Sequence, residues 1–280
     1  MPERVVATPL LRVSADGTRT DQDLVAVEAP LYLTVRDGRG RTWPLGTLMR
    51  TPGDDEDLAR GLLYTEGLIH GEGDIVAITE TDPPTATSDR REMTTIAVTL
   101  APHIEIDADM LSRATMATSA CGLCGRLVIR SANALRRVGG ALNEPELTAA
   151  FISDLPGRLR QAQPVFAETG GLHAAGLFDL NGGLIAIAED VGRHNAVDKL
   201  IGKALLSGHL PAHHAVMVVS GRAAFEIVDK AAMAGVPVLV AVGAPSSLGV
   251  EAARATGLTL IGFARDGRFN VYAGTERVSA

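Results

Sequence analysis

The chain is predicted to be an α/β protein with a core of parallel βαβ units and a smaller N-terminal α+β domain. Three observations carry this expectation. Three short apolar runs, Ala215–Val219, Val236–Val242 and Leu258–Phe263, alternate with helix-length segments, which is the signature of a parallel layer. Upstream of His103, extended runs predominate and are separated by turn residues. Aromatic residues are only 4% of the 280, against 46% hydrophobic, so the core must be mostly Val, Leu, Ile and Ala, as suits buried parallel strands.

Taken in order, Met1–Asp23 is polar and mixed, and residues 1–28 are predicted to be a flexible tail. Leu31, Leu33 and Val35 alternate before a turn at Asp37–Gly40, and a second extended run follows through Trp43, Leu45 and Leu48, predicting a hairpin. After Pro52-Gly53, the carboxylates Asp54–Asp57 open a helix to about Glu66, placed at the positive end of its dipole. Strand-like runs Ile75–Thr79 and Thr95–Leu100 flank the polar stretch Asp82–Glu92; the acidic Pro/Thr segment Asp82–Asp89 within it has no assigned role. The small domain is set at residues 29–112 and the core at 113–280.

Asp107–Thr115 and Arg126–Val138 are predicted helices on either side of a cysteine-bearing loop, and Asn143–Arg160 is helical in parts, broken at Pro156-Gly157. A hairpin follows, Leu172–Asp179 and Leu184–Glu189, turned by Asn181-Gly182-Gly183, then a helix from His194 to Leu206. Helices at Ala223–Ala234 and Leu248–Thr256 separate the three apolar strands, and Phe269–Tyr272 is an edge strand.

A formal charge of −7 argues against sequence-independent nucleic-acid binding, which needs a basic surface. No apolar run is long enough to span a bilayer, and Met1–Asp23 lacks the apolar region of a secretory signal. The expected location is the cytoplasm, where a structural disulfide is not expected.

That bears on the two cysteines, which sit three apart in Ser119-Ala120-Cys121-Gly122-Leu123-Cys124-Gly125. Gly122 and Gly125 let the backbone bend and leave the sulfurs uncovered. The predicted helix behind them, with Arg126 and Arg130, lowers thiol pKa. Such a pair suits sulfur transfer or disulfide exchange. Half a zinc site is the first competing reading, but no second C-x-x-C follows, so a closed site would need ligands scattered through the sequence. A zinc deaminase centre pairs H-x-E with P-C-x-x-C; here Ala120 replaces the proline and Ala174-Ala175 follow His173. Two inert buried cysteines fit poorly with the glycine-rich, polar surroundings.

Other chemistry-bearing residues cluster at strand ends. Glu189–Asn195 packs two carboxylates, Arg193 and His194 into one strand-to-helix junction, where Asp190 either caps the helix or joins a polar-ligand or proton-handling site. Ser220-Gly221-Arg222 and Ser246-Ser247 follow predicted parallel strands, where open α/β sheets bind ligands and helix starts favour phosphate. Phe263-Ala264-Arg265-Asp266-Gly267-Arg268 adds two arginines and a ring, suited to an anionic, ring-bearing ligand or to an ordinary charged turn.

Several long motifs, in order, resemble the FdhD family, the formate dehydrogenase accessory sulfurtransferases. They are Thr51-Pro52 with Leu58–Leu63 and Glu66–Ile69, then Ser119–Gly125, Thr169–Ala175, Asp190–Lys199, Ser220–Glu226 and Gly257–Arg265. The resemblance implies a sulfur carrier that accepts sulfur from a cysteine desulfurase as a persulfide. It passes that sulfur to the molybdenum bis(molybdopterin guanine dinucleotide) cofactor destined for formate dehydrogenase. It implies Cys121 as the persulfide-bearing residue and Cys124 as an assistant or second carrier. Cofactor binding falls on Phe263–Arg268, with Ser220, Gly221, Arg222 and His194 as strand-end candidates and GDP as a partial mimic. No metal of the protein's own is implied. The family fold is similar to the cytidine deaminase core with a smaller N-terminal domain, and members are homodimers. A CxxC dithiol-disulfide oxidoreductase and a zinc-stabilised binding protein are the alternatives.

Overall fold

The computed structural model describes residues 3–81, 93–107 and 147–279. The CxxC loop, both helices expected around it, the Asp82–Asp89 stretch and the 112/113 domain boundary lie outside those residues. No helix among them is long and apolar enough to cross a membrane.

The first departure from expectation is at the N-terminus. β1 (Val5–Ser14) and β2 (Gly17–Ala26) form a regular antiparallel hairpin, where the sequence suggested a loose tail. Most of the hairpin is solvent-exposed, so it lacks the apolar-in, polar-out alternation by which a strand is recognised. Its pairing is local, and Val27 N donates to Arg4 O at 2.9 Å to close the base.

β3 (Ala29–Arg36), β4 (Thr42–Arg50), β5 (Ile75–Thr81) and β6 (Thr94–Leu100) form a four-stranded sheet in the order β4-β3-β6-β5. The expected hairpin is present as β3–β4, and β3 runs parallel to β6. Its turn is built around Asp37, whose carboxylate accepts from Arg39 N, Arg41 N, Arg41 Nε and Trp43 Nε1 at 2.9–3.0 Å. Burial would raise this carboxyl, but the Trp43 and Arg41 hydrogen bonds outweigh it and hold it at about 2. Leu31, Leu33, Val35, Ile96, Val98 and Leu100 turn inward against α1 (Asp55–Thr65), whose first turn is acidic as expected.

α2 (Ala149–Gln161) and α3 (Pro164–Thr169) precede the second sheet. α2 runs straight through Pro156, contrary to the break expected there. An interior proline costs about 3 kcal/mol or more; burial of Ile152, Leu155 and Leu159 offsets this at about 1.5–3 kcal/mol per large apolar side chain.

The second sheet has six strands in the order β13-β12-β11-β10-β8-β9. β8 (His173–Asp179) and β9 (Leu184–Asp190) are the expected hairpin; β10 (Ala215–Val219), β11 (Val238–Ala241) and β12 (Thr259–Arg265) are the parallel strands; β13 (Arg268–Ala273) is the edge. The layer is therefore mixed: only β10-β11-β12 pair in parallel, while β8 joins β10 antiparallel. Helices α4 (Arg193–Leu206), α5 (Phe225–Met233) and α6 (Ser247–Thr256) alternate with its strands. A short parallel pair, β7 (Leu147–Thr148) with β14 (Val278–Ser279), ties the chain end to the start of α2.

Strand periodicity divides the core. In β10 and β11, Met217, Val219, Leu239 and Ala241 point to one face, and Val216, Val218, Val238 and Val240 to the other. The second face is covered by Ile152, Leu155 and Leu159 of α2. The first belongs to a continuous cluster that also contains Leu31, Leu58, Leu63, Leu200 and Ile201, so both sheets share one core. α1 and α4 meet inside it at two glycines. A Cβ on Gly61 would overlap the carbonyl of Asp198, and one on Gly202 would overlap that of Asp57.

Candidate functional site

The parallel strands end on one side of the sheet, and their loops are stitched together there. Gly243 N donates to Gly221 O and Phe263 N to Gly243 O, both at 3.0 Å. The loops are close enough that a Cβ on Gly243 would sit 2.8 Å from Gly221 O. Because β8 is antiparallel to β10, its first residue reaches the same edge: Ser220 N donates to Ala174 O (3.0 Å), and Ala174 N to Ser220 Oγ (2.9 Å). His173 Nδ1 stands 3.5 Å from that hydroxyl.

A cleft of about 540 Å³ opens at this edge, between the strand ends and the α2–α3 corner. Its volume lies within the range of small-ligand sites. Ser220, His173, Ala264, Arg265 and Asp266 line it from the strand ends and Arg160, Gln163 and Phe166 from the α2–α3 corner, with Leu159 of α2 and Leu172, beside His173, also in the lining. The Arg160 guanidinium lies over the Phe166 ring at 3.8 Å from its centroid. Two arginines, a hydroxyl and an apolar wall suit an anionic ligand carrying a flat ring.

Of the residues singled out in the sequence, Ser220, Ala264, Arg265 and Asp266 line this cleft. The last two, with Gly267 and Arg268, form the β12–β13 turn. Asp266 (φ 54°) and Gly267 (φ 72°) both take the left-handed conformation that a two-residue hairpin turn demands. Phe263 is also left-handed at φ 54°, beside a register shift between Gly262 and Arg265. This bulge turns its ring outward, 37% exposed, and Phe263 is absent from the cleft lining. Gly221 packs against His173 and Arg193. Arg222 is exposed, and His194 stands 4.0 Å from Glu226; neither lines the cleft. Cys121 and Cys124 lie outside the described residues.

Two clusters from the sequence have structural work. Glu189 accepts from Val165 N (3.1 Å) and Phe166 N (2.8 Å), fixing the start of α3. Asp190 is fully buried, pairs with Lys199 Nζ at 2.7 Å, and accepts from Gly192 N, Asn195 Nδ2 and Thr51 N. Lys199 Nζ also donates to Thr51 O at 2.7 Å. The carboxylate thus clamps the N-terminal sheet to α4. Burial pushes the Lys199 ammonium down, with Asp190 opposing. Likewise the hydroxyl of Ser246 caps α6 through Gly249 N at 3.1 Å. Deeper still, Lys230 Nζ meets Asp198 at 2.7 Å and Thr65 Oγ1 at 2.9 Å; burial pushes the Asp198 carboxyl up against these partners.

Burial, then the Arg193 charge, lowers the His173 pKa. His194 is lowered by burial, then by Arg193 and Lys230. Both shifts favour the neutral imidazole. The α2–α3 wall escaped sequence reasoning because Arg160, Gln163 and Phe166 precede the sheet and approach it only through tertiary packing; the compact Arg-x-x-Gln-x-x-Phe spacing was the available signal. Among the described residues, no three His, Cys, Asp or Glu side chains converge to hold a metal.

The carboxyl ends of parallel strands, where this cleft lies, are where open α/β sheets bind ligands. The comparisons give the family. Residues 26–279 match the model of the FdhD/NarQ family. A Streptomyces coelicolor protein named sulfur carrier protein FdhD is 44% identical over 271 residues, covering 96% of this chain and 94% of the relative. One of the same name from Thermoplasma acidophilum is 41% identical, covering 91% and 87%. A solved structure assigned as a formate dehydrogenase accessory protein of Desulfotalea psychrophila superposes with a TM-score of 0.72 at 25% identity, covering 99% of this chain and 100% of that one. The chain belongs to the FdhD/NarQ family.

Proposed function

We propose that this protein is a persulfide sulfur carrier that readies the molybdenum cofactor for formate dehydrogenase. The Cys121 thiolate attacks the outer sulfur of a cysteine desulfurase persulfide. The donor's S–S bond breaks, its cysteine leaves as a thiolate, and Cys121 holds the outer sulfur. Cys124 assists or acts as a second carrier. The substrate that receives the sulfur, molybdenum bis(molybdopterin guanine dinucleotide), docks a guanine nucleotide end in the strand-end cleft. GDP is then a partial mimic.

The carrying observation is the cleft, which gathers Ser220, Ala264, Arg265 and Asp266 at one sheet edge beside Arg160. Phosphates fit the arginines, as charge-assisted donors, and a ring fits the apolar wall. Full-length likeness to proteins named as sulfur carriers supports the chemistry, and the glycine-flanked thiols supply the nucleophile. In this reading the core is of the cytidine deaminase kind, the protein is a cytoplasmic homodimer, and His173 and Ser220 face the bound phosphates.

Intact-mass analysis after incubation with a cysteine desulfurase and cysteine tests the carrier step. The native chain is expected to gain one reducible sulfur atom and Cys121→Ala none. Equal gain by that variant would remove Cys121 from its role.

A further inference from the structure

One polar group of the cleft has no partner among the described residues. Gln163 joins α2 to α3, lines the cleft and is 3% exposed. Its Nε2 is buried and meets no acceptor among the described residues, so a turn of the carboxamide toward the cleft brings it to a ligand. Buried amide donors are almost always paired, and an unpaired one is destabilising. An acceptor that arrives with the ligand accounts for it.

We propose that Gln163 recognises the base of the bound nucleotide, its carboxamide N–H₂ donating to the ring carbonyl, O6 of a guanine. This rests on the guanine-nucleotide reading of the cleft given above and adds to it the residue that reads the ring.

The surroundings favour a base over a phosphate at this corner. Gln163 follows Leu159 and precedes Phe166 at the α2–α3 corner, whereas Arg265 and Ser220 stand at the strand ends. The nearby cation, Arg160, is laid over the Phe166 ring, giving a flat surface on which a heteroaromatic ring can stack. The corner is also held in place. Gln163 O accepts from Ala167 N at 3.0 Å, and Glu189 binds the next two amides, Val165 N and Phe166 N. A donor carried on backbone held in this way discriminates, because a ligand lacking the matching acceptor leaves it buried and unpaired.

Calorimetric titration of the full chain checks this with three diphosphates: GDP, IDP, which keeps O6, and 2-aminopurine riboside diphosphate, which lacks it. Gln163→Met keeps the size and removes the donor; Gln163→Glu keeps the shape and puts a carboxylate where the donor was. Both variants are expected to bind GDP and IDP at least about ten-fold more weakly, or about 1.4 kcal/mol. The diphosphate without O6 should bind native protein and Gln163→Met alike. Unchanged GDP affinity in both variants overturns the assignment. Equal weakening of all three ligands also overturns it, since that marks a phosphate contact or a structural role. Should Gln163→Met not fold, Gln163→Glu decides by the same ligand ratios. Native protein that fails to bind GDP overturns the nucleotide reading of the cleft and this assignment with it, an outcome distinct from the others.

Discussion

Single buried charges in this protein are committed to holding its parts together. Lys199 and Asp190 are both fully buried, 2.7 Å apart, and each also bonds the backbone of Thr51. Lys199→Met should cost about 3–5 kcal/mol, because it leaves a buried carboxylate without its cation. Urea denaturation would show this, and a loss below about 1 kcal/mol would mean that the amides around Asp190 suffice. The sequence displayed Asp190 beside Arg193 and His194 and left open whether it served a ligand or the fold. The deciding partner, Thr51, lies 139 residues away, and no local spacing reveals it. Gln163 was illegible for the same reason: that its amide nitrogen meets no acceptor among the described residues is disclosed only by packing.

At the scale of elements, alternation and turn chemistry were informative wherever burial was one-sided. The bounds of β10 coincide with the apolar run Ala215–Val219, since nothing in it is polar enough to leave the core. The Asp37–Gly40 turn was likewise visible through its turn residues. Misread elements were those whose stabilisation is not local. The β1–β2 hairpin has no clearly buried face, and α2 survives its proline through contacts with the far side of a sheet that follows it in the chain. The α1–α4 crossing offered only two glycines inside helical segments. Gly61→Ala should lower stability by about 3 kcal/mol, the upper end for overpacking, since its methyl meets a backbone carbonyl of Asp198 that cannot rotate away. Thermal or urea melts would settle this; a neutral result would mean that the helices separate freely.

For the molecule as a whole, two histidines add to its response to acid. His173 and His194 have folded-state pKa values below the ordinary 6.5, so below that pH the unfolded chain binds more protons than the native one. Their contribution is fully present above about pH 6.5 and is lost as pH falls through the depressed folded values. The urea midpoint should therefore drop on acidification through this window, and His173→Asn with His194→Asn should flatten that limb. An unchanged slope in the double variant would assign the acid sensitivity to carboxylates. The strand-end half of the cleft was legible because the carboxyl edge of a parallel layer is set by chain direction alone; the facing wall depends on how a helix pair docks, which chain direction does not fix.

The glycine crossing also sets an order of events. The inward face of the four-stranded sheet is complete in sequence by Leu100, yet α1, which covers it, fits against backbone that is not synthesised until Asp198–Gly202. As the chain is made, the α1 side of this sheet therefore lacks its α4 packing until about a hundred residues beyond Leu100 have been added. Pairings this distant slow folding and expose apolar surface meanwhile.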